Sequence, residues 1–295
     1  MTPGTAIESM SPPATELARL DASFPAREMP VGGNAVVSVR ECGSGEALVC
    51  LHGIGSGAAS WLDMATALAP SARVIAWDAP GYGRSTPLQA AAPKAGDYAR
   101  RLLALLDALR VERCVLVGHS LGALTAAAAA QQGSALASRI AQLVLISPAR
   151  GYGDPARAEQ AQQVRGERLA TLEELGIAGM AARRSGRLLS DDADERARQW
   201  VRWNMAQLHE GGYRQAVELL CGDDLMRYLP PATPVRVLCG VHDQITPPAA
   251  CADVAQACGV PLEPIAAAGH ACYVEQPAAV AQRLAGLLTS NRKTA

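Results

Sequence analysis

Cys114-Val115-Leu116-Val117-Gly118-His119-Ser120-Leu121-Gly122-Ala123-Leu124-Thr125 is the stretch on which the reading of this chain turns. Its first four residues are an unbroken apolar run, as a strand buried on both faces requires. The alanine-rich run from Ala123 to Ala130 reads as a helix. Between them lies Gly118-x-Ser120-x-Gly122, the pattern of a sharp strand-to-helix turn with serine at its apex. Such a turn forces the apex residue into strained backbone angles and needs small residues two positions away on either side. The serine hydroxyl is then carried beyond the end of the sheet. There it meets the unpaired N–H groups of a helix N-terminus, which favour negative charge. Ser120 is therefore a candidate nucleophile.

Working outward, the same strand-then-helix rhythm recurs. Residues 27–31 and 35–40 alternate in polarity around Gly32-Gly33, a hairpin signal. Ala47–Leu51, Arg73–Trp77 and Ile140–Ile146 are apolar runs of strand length. Residues 97–109 carry leucines at 102, 103, 105, 106 and 109, a helical stripe. After Ile146 the rhythm stops. Residues 150–228 contain helical patterns at 155–175, 178–189, 192–209 and 213–220 and no convincing strand. It resumes with strands at 234–239 and 261–266 and helices at 248–258 and 277–288. Alternation of this kind predicts an α/β fold, a mostly parallel sheet with helices on both faces. The expected organisation is a flexible or loosely docked arm over 1–25, a core over 26–149 and 229–295, and a helical insertion over 150–228.

Composition narrows the function. At 295 residues, 49% hydrophobic and 19% charged, the chain can bury a large core. A net charge of −1 offers no basic excess for phosphates, so nucleic acid and anionic membrane surfaces are not expected partners. No apolar stretch is long enough to span a bilayer. The N-terminus lacks a basic start followed by an apolar core, so no signal peptide is expected. The eight cysteines form no C-x-x-C pair. Neither a disulfide framework nor a zinc site is expected, and the reading is a cytoplasmic protein without metal or cofactor.

A serine hydroxyl becomes a nucleophile only beside a base, and that base needs an orienting acid. In a parallel sheet, such groups follow the C-terminal ends of strands. Histidines occur at 52, 119, 209, 242 and 270. His270 follows the last strand and is the best base; His242 is a neighbour of the acid candidate, and His209 lies in the insertion. Asp243 follows the strand at 234–239 and is the acid; Asp78 is the runner-up and is expected to order its own turn. Asp223 and Asp224 fall in the insertion. Two backbone donors should face the developing oxyanion: Leu121, next to the nucleophile, and Ile54, in the loop after Ala47–Leu51.

With these residues in view, the chain resembles the α/β-hydrolase fold superfamily. The motifs are His52-Gly53-Ile54-Gly55, Asp78-Ala79-Pro80-Gly81-Tyr82-Gly83-Arg84-Ser85, Gly118-His119-Ser120-Leu121-Gly122, Gly240-x-x-Asp243 and Gly269-His270. The resemblance implies that the insertion is a cap over the site. Gly179-Met180-Ala181, Gly212-Tyr213-x-x-Ala216, Asp224-Leu225 and Asp243-Gln244-Ile245-Thr246-Pro247-Pro248 are similar to 3-oxoadipate enol-lactonase relatives. Those relatives commonly have Asn-Ser where this chain has His52-Gly53. The loop from His52 to Ala58 is closer to the C–C hydrolases that open ring-fission products of aromatic compounds.

The implied activity is hydrolysis of a small carboxylic ester or lactone. The alternatives are C–C hydrolysis by the same residues and a non-hydrolytic ligand binder on the same fold. The expected partner is a small molecule. Two features of the insertion bear on it. Arg183, Arg184 and Arg187 share a helix, and one facing the pocket could pair with a substrate carboxylate. Trp200 and Trp203 sit one turn apart; both could pack the cap onto the core, or Trp203 could line an apolar pocket.

Overall fold

A computed structural model describes residues 12–290 of the chain. Its eight-stranded sheet comprises β1 (Ala26–Pro30), β2 (Val36–Gly43), β3 (Ala47–Leu51), β4 (Arg73–Trp77), β5 (Cys114–His119), β6 (Ile140–Ile146), β7 (Val235–Gly240) and β8 (Leu262–Ile265). The strand order is β1-β2-β4-β3-β5-β6-β7-β8. The β1–β2 and β2–β4 pairs are antiparallel, and the remaining pairs are parallel. The turn between β1 and β2 holds Gly32, Gly33 and Asn34 at positive φ, as the glycine pair predicts.

The central strands alternate between two cores. Val49 and Leu51 of β3, Leu116 of β5 and Leu145 of β6 face one side; Leu48, Cys50, Val117 and Ile146 face the other. A strand buried on both faces has no polar side to show, which is why these runs read as continuous apolar sequence. On the first side lie α3 (Ala95–Ala108), α4 (Gly122–Ala130) and α8 (Pro248–Ala257). On the second lie α1 (Ala14–Ser23), α2 (Leu62–Leu68) and α10 (Pro277–Ser290). All nine residues of α4 are buried, and their small side chains let the helix pack close to the sheet.

Between β6 and β7 come α5 (Ala158–Arg184), α6 (Glu195–Ala206) and α7 (Glu210–Gly222). The break expected between the first two helical patterns is a kink inside α5 at Gly176, whose φ of 61° and ψ of −177° no helix accommodates. Asp223 accepts hydrogen bonds from Ala95 N–H and Tyr228 Oη, which fastens the end of the insertion to the start of α3. Among the described residues no helix is long and apolar enough to cross a membrane.

The arm differs from expectation over its second half. Residues 1–11 lie outside the described residues, but α1 is packed rather than loose. Leu20 and Phe24 are buried beside α2, and Arg19 pairs with Asp63 of that helix. The apolar positions are too few to make a long stripe, so the sequence reads as linker although two large side chains anchor it.

Candidate active site

The turn after β5 places Ser120 at the sheet end with φ of +52°. Its N–H donates to the Ile146 carbonyl (3.0 Å), and its carbonyl accepts from Ala123 and Ala149 N–H (3.1 Å each). These bonds hold the strained backbone in place. A Cβ at Gly118 would stand 2.7 Å from Ala126 Cβ, and one at Gly122 would stand 2.4 Å from the Leu51 carbonyl oxygen. Both glycines are required by close approach of strand and helix.

His270 follows β8 and Asp243 follows β7. His270 Nδ1 lies 2.9 Å from Asp243 Oδ2, and both side chains are almost fully buried. A carboxylate can only accept, so Nδ1 carries the proton and Nε2 is left with a free lone pair. Asp243 Oδ1 accepts from Ile245 and Thr246 N–H at 2.8 and 2.9 Å, and Thr246 Oγ1 lies 2.9 Å from Oδ2. Burial by itself raises a carboxyl pKa. Here the hydrogen bonds and charge attraction from His270, with the Thr246 amide, outweigh it and hold Asp243 down at about 2.

The loop after β3 is built around one peptide group. His52 Nδ1 lies 2.8 Å from the Gly53 carbonyl oxygen, so it carries the proton and donates; Ser56 N–H donates to the same oxygen at 3.2 Å. The other ring nitrogen of His52 accepts from Ala79 N–H at 3.0 Å. In a trans peptide the N–H points opposite to the carbonyl. Fixing the Gly53 carbonyl on one side thus aims Ile54 N–H to the other. Tyr82 Oη donates to the Ile54 carbonyl at 2.9 Å and fixes the next peptide as well. Asp78 orders its own neighbourhood, accepting from Ala58 N–H and Ser38 Oγ at 2.8 Å each.

Ser120, His270, Ile54 and Leu121 all line one cavity of about 360 Å³. Asp243 does not line the cavity and reaches it through its bond to His270. The roof comes from α5 to α7, which contribute Met180, Arg184, Val201, Met205 and Tyr213. Among the described residues no group of three or more His, Cys, Asp or Glu could hold a metal ion.

Two substrate contacts expected from the sequence are corrected. Arg183 does not line the cavity; Arg184 and Arg187 do. Met180 and Arg184 lie one turn apart on α5 and Arg187 follows in the turn just beyond it, whereas Arg183, about 100° around the helix from Arg184, is exposed. Trp203 does not line the cavity either. It stacks on buried Trp200 with ring centroids 5.0 Å apart, while Val201 and Met205, one turn apart, supply the cavity wall.

Several contributors lay beyond the sequence reading. Arg168 joins Arg184 and Arg187 in the cavity wall. Among the described residues none of the three is ion-paired with a carboxylate. Arg184 has its pKa lowered, by burial first and then by the neighbouring charges of Arg168 and Arg187. His119 also lines the site. Its Nε2 donates to the His270 carbonyl at 2.9 Å, and its buried Nδ1 has no partner among the described residues. Only Thr246 had a readable signal, a hydroxyl residue three positions after the acid.

The sequence model of the alpha/beta hydrolase family matches residues 48–283. The chain belongs to the alpha/beta hydrolase family. Within it, the chain is 34% identical over 122 residues to a 2-hydroxy-6-oxononadienedioate/2-hydroxy-6-oxononatrienedioate hydrolase of Dechloromonas aromatica, covering 40% of each chain. It is 33% identical over 117 residues to a 2-hydroxy-6-oxo-6-phenylhexa-2,4-dienoate hydrolase of Comamonas testosteroni, 38% of this chain and 40% of that one. The matched segments thus span about two-fifths of those relatives' length. The enol-lactonase of Burkholderia xenovorans LB400 superposes with a TM-score of 0.77 at 24% identity, over 88% of this chain and 99% of that one, a likeness of fold.

Proposed function

We propose that this alpha/beta hydrolase family member is a serine hydrolase that cleaves a small anionic carboxylic ester or lactone through an acyl-enzyme. The observation that carries the reading is the buried 2.9 Å bond between Asp243 and His270, with Ser120 and His270 walling the same cavity. His270 Nε2 takes the proton of Ser120 as Oγ bonds to the substrate carbonyl carbon. The carbonyl electrons move to oxygen, and Ile54 and Leu121 N–H stabilise that charge. Collapse expels the leaving oxygen, which takes the proton back from His270. A water molecule then gives a proton to His270 and attacks the acyl carbon, and the acid is released with Ser120 restored. Asp243 keeps the imidazole in one tautomer throughout.

Arg168, Arg184 and Arg187 support the anionic part of the reading. Bringing a negative group to guanidinium groups that have no carboxylate partner relieves their mutual repulsion and adds charge-assisted hydrogen bonds. A second reading is C–C hydrolysis of an aromatic ring-fission product by the same residues. It is favoured by the names of the Dechloromonas and Comamonas relatives. Turnover of an enol-lactone against a 2-hydroxy-6-oxo-dienoate separates the two.

A fluorophosphonate label followed by peptide mapping tests the mechanism. It is expected to mark Ser120 in the wild-type protein and to leave Ser120→Ala unmarked, with hydrolysis of 4-nitrophenyl esters lost in parallel. Ester turnover by Ser120→Ala near the wild-type rate would overturn the acyl-enzyme.

A further inference from the structure

Three backbone groups surround the candidate base, and each is held. The carbonyl of His270 itself accepts from His119 Nε2 at 2.9 Å. On one side of it, Gly269 N–H donates to Glu275 Oε2 at 2.7 Å. On the other, Ala271 N–H donates to the Leu188 carbonyl at 2.8 Å. Leu188 belongs to the insertion, so the second of these bonds is made directly to the cap.

The first is made to the cap through Glu275, the last residue of α9 (Cys272–Glu275). Besides Gly269 N–H, its carboxylate accepts from Ser190 N–H, at 3.1 Å to Oε1 and 3.2 Å to Oε2. Ser190 Oγ also donates to Oε1 at 2.5 Å. Ser190 is 3% exposed and lies two residues beyond Leu188. Packing is tight at the same place: a Cβ on Gly269 would stand 2.5 Å from Ser190 N and 2.6 Å from Leu189 C. The cap segment 188–190 therefore lies directly against the loop that carries His270, bonded to it before and after that residue.

We infer that Glu275 is a positioning residue that couples the docking of cap segment 188–190 to the placement of His270. One carboxylate spans two elements that are distant in the chain, and a carboxylate can satisfy both because each oxygen has two acceptor sites. When the segment is docked, Gly269 and Ala271 are fixed and His270 faces Ser120. When it lifts, the Leu188 bond is lost and Glu275 keeps only one of its two anchors, so the base loop loses its restraint. The cap then does more than enclose the substrate: its closure completes the base. This inference rests on the reading of His270 as the base for Ser120.

The test compares the full-length protein with Glu275→Ala, Glu275→Gln and Ser190→Ala. The readouts are the labelling rate of Ser120 by a small fluorophosphonate, hydrogen exchange of peptides covering 186–192 and 267–272, and the melting temperature. The reagent carries no carboxylate for the roof arginines to hold, so a slower rate reports the base rather than anion binding. Glu275→Ala is expected to label at least about tenfold more slowly, in line with the cost of misplacing a reacting group. Both peptides should exchange faster together. Glu275→Gln keeps one acceptor oxygen but turns an NH2 toward the other donor, so it should recover part of the rate. Ser190→Ala removes the hydroxyl bond alone and should shift rate and exchange in the same direction by less; it decides the matter if Glu275→Ala does not fold.

Wild-type labelling rates in Glu275→Ala, or in Ser190→Ala in its place, would overturn the coupling. So would faster exchange at 267–272 with the cap peptide unchanged. A wild-type protein that takes no label at Ser120 overturns the serine reading alone, and the paired exchange then decides the coupling by itself.

Discussion

His119 shows how a single buried side chain sets the acid stability of this molecule. It is 3% exposed, and burial is the main reason its pKa falls, to about 3; the nearby His270 ring pushes it the same way. Its bond to the His270 carbonyl uses the Nε2 proton, so the neutral ring already satisfies the fold. In the unfolded chain the same ring titrates near 6.5. Between those two values the unfolded state binds a proton that the folded state refuses. Stability is unaffected above pH 6.5 and falls as pH drops toward 3, by about 1.4 kcal/mol for each pH unit. His52, also buried with its pKa lowered, adds to the same limb. Asp243 acts lower down. Its carboxyl is held at about 2 against 3.8, so the stability it contributes is present above pH 3.8 and lost as pH falls through 2. Urea unfolding at pH 7, 6, 5 and 4 should therefore show a steep decline below pH 6. His119→Gln, whose amide can still reach the His270 carbonyl, should flatten it by about one proton's worth. An unchanged slope in that variant would show that His119 is charged in the folded protein.

The last turns of α5 and the residues just beyond them decide what the cavity can hold, because Met180, Arg184 and Arg187 line it. Replacing Arg184 with Gln should raise KM for a mono-4-nitrophenyl dicarboxylate by about tenfold or more, as the loss of a charge-assisted hydrogen bond predicts. KM for a neutral 4-nitrophenyl ester of similar size should hardly move; an equal rise for both would assign Arg184 to packing. Which arginine faces inward could not be read from the sequence, and the reason is specific. Arg183 and Arg184 are adjacent and Arg187 falls between them around the helix, so the charge pattern does not say which of the three turns inward. The sheet had the opposite property. Ala47–Leu51, Arg73–Trp77 and Ile140–Ile146 match the expected strands residue for residue. Burial on both faces leaves strands only apolar side chains, and the turns that follow announce their ends. That Asp243 and His270 stand just past strands was legible for the same reason. Glu275 and His119 were not: their roles depend on backbone groups brought from segments far away in sequence. Nor was α1, whose docking rests on a few side chains.

At the scale of the whole molecule, the cap is fastened to the core by more than its chain connections. Arg196, near the start of α6, pairs with Asp63 of α2 and with Glu16 of α1. Arg19 of α1 pairs with both acids in turn. Two carboxylates and two guanidinium groups thus join the N-terminal helix, the core and the cap in one network. Asp63 has its pKa lowered despite burial, because hydrogen bonds from Arg196 and Arg19 outweigh the desolvation. The arginine side chains are 39% and 44% exposed, so solvent screens the pairs and each is worth no more than about 1 kcal/mol. Their value lies in where they act. A network that is weak against global unfolding is strong against a motion confined to the cap, because only its own bonds and a few neighbours resist that motion. Arg196→Gln should leave the melting temperature almost unchanged and make the cap open several-fold more often, read as faster limited proteolysis between residues 185 and 210. Because the Debye length shrinks to about 3 Å in 1 M salt, raising the salt should bring the wild-type protein toward the variant and leave the variant little altered. If proteolysis of the wild-type cap is insensitive to salt, the cap is held by the packing of Trp200 and Val201 and by the Leu188 and Ser190 hydrogen bonds, and the ion pairs are passengers on those contacts.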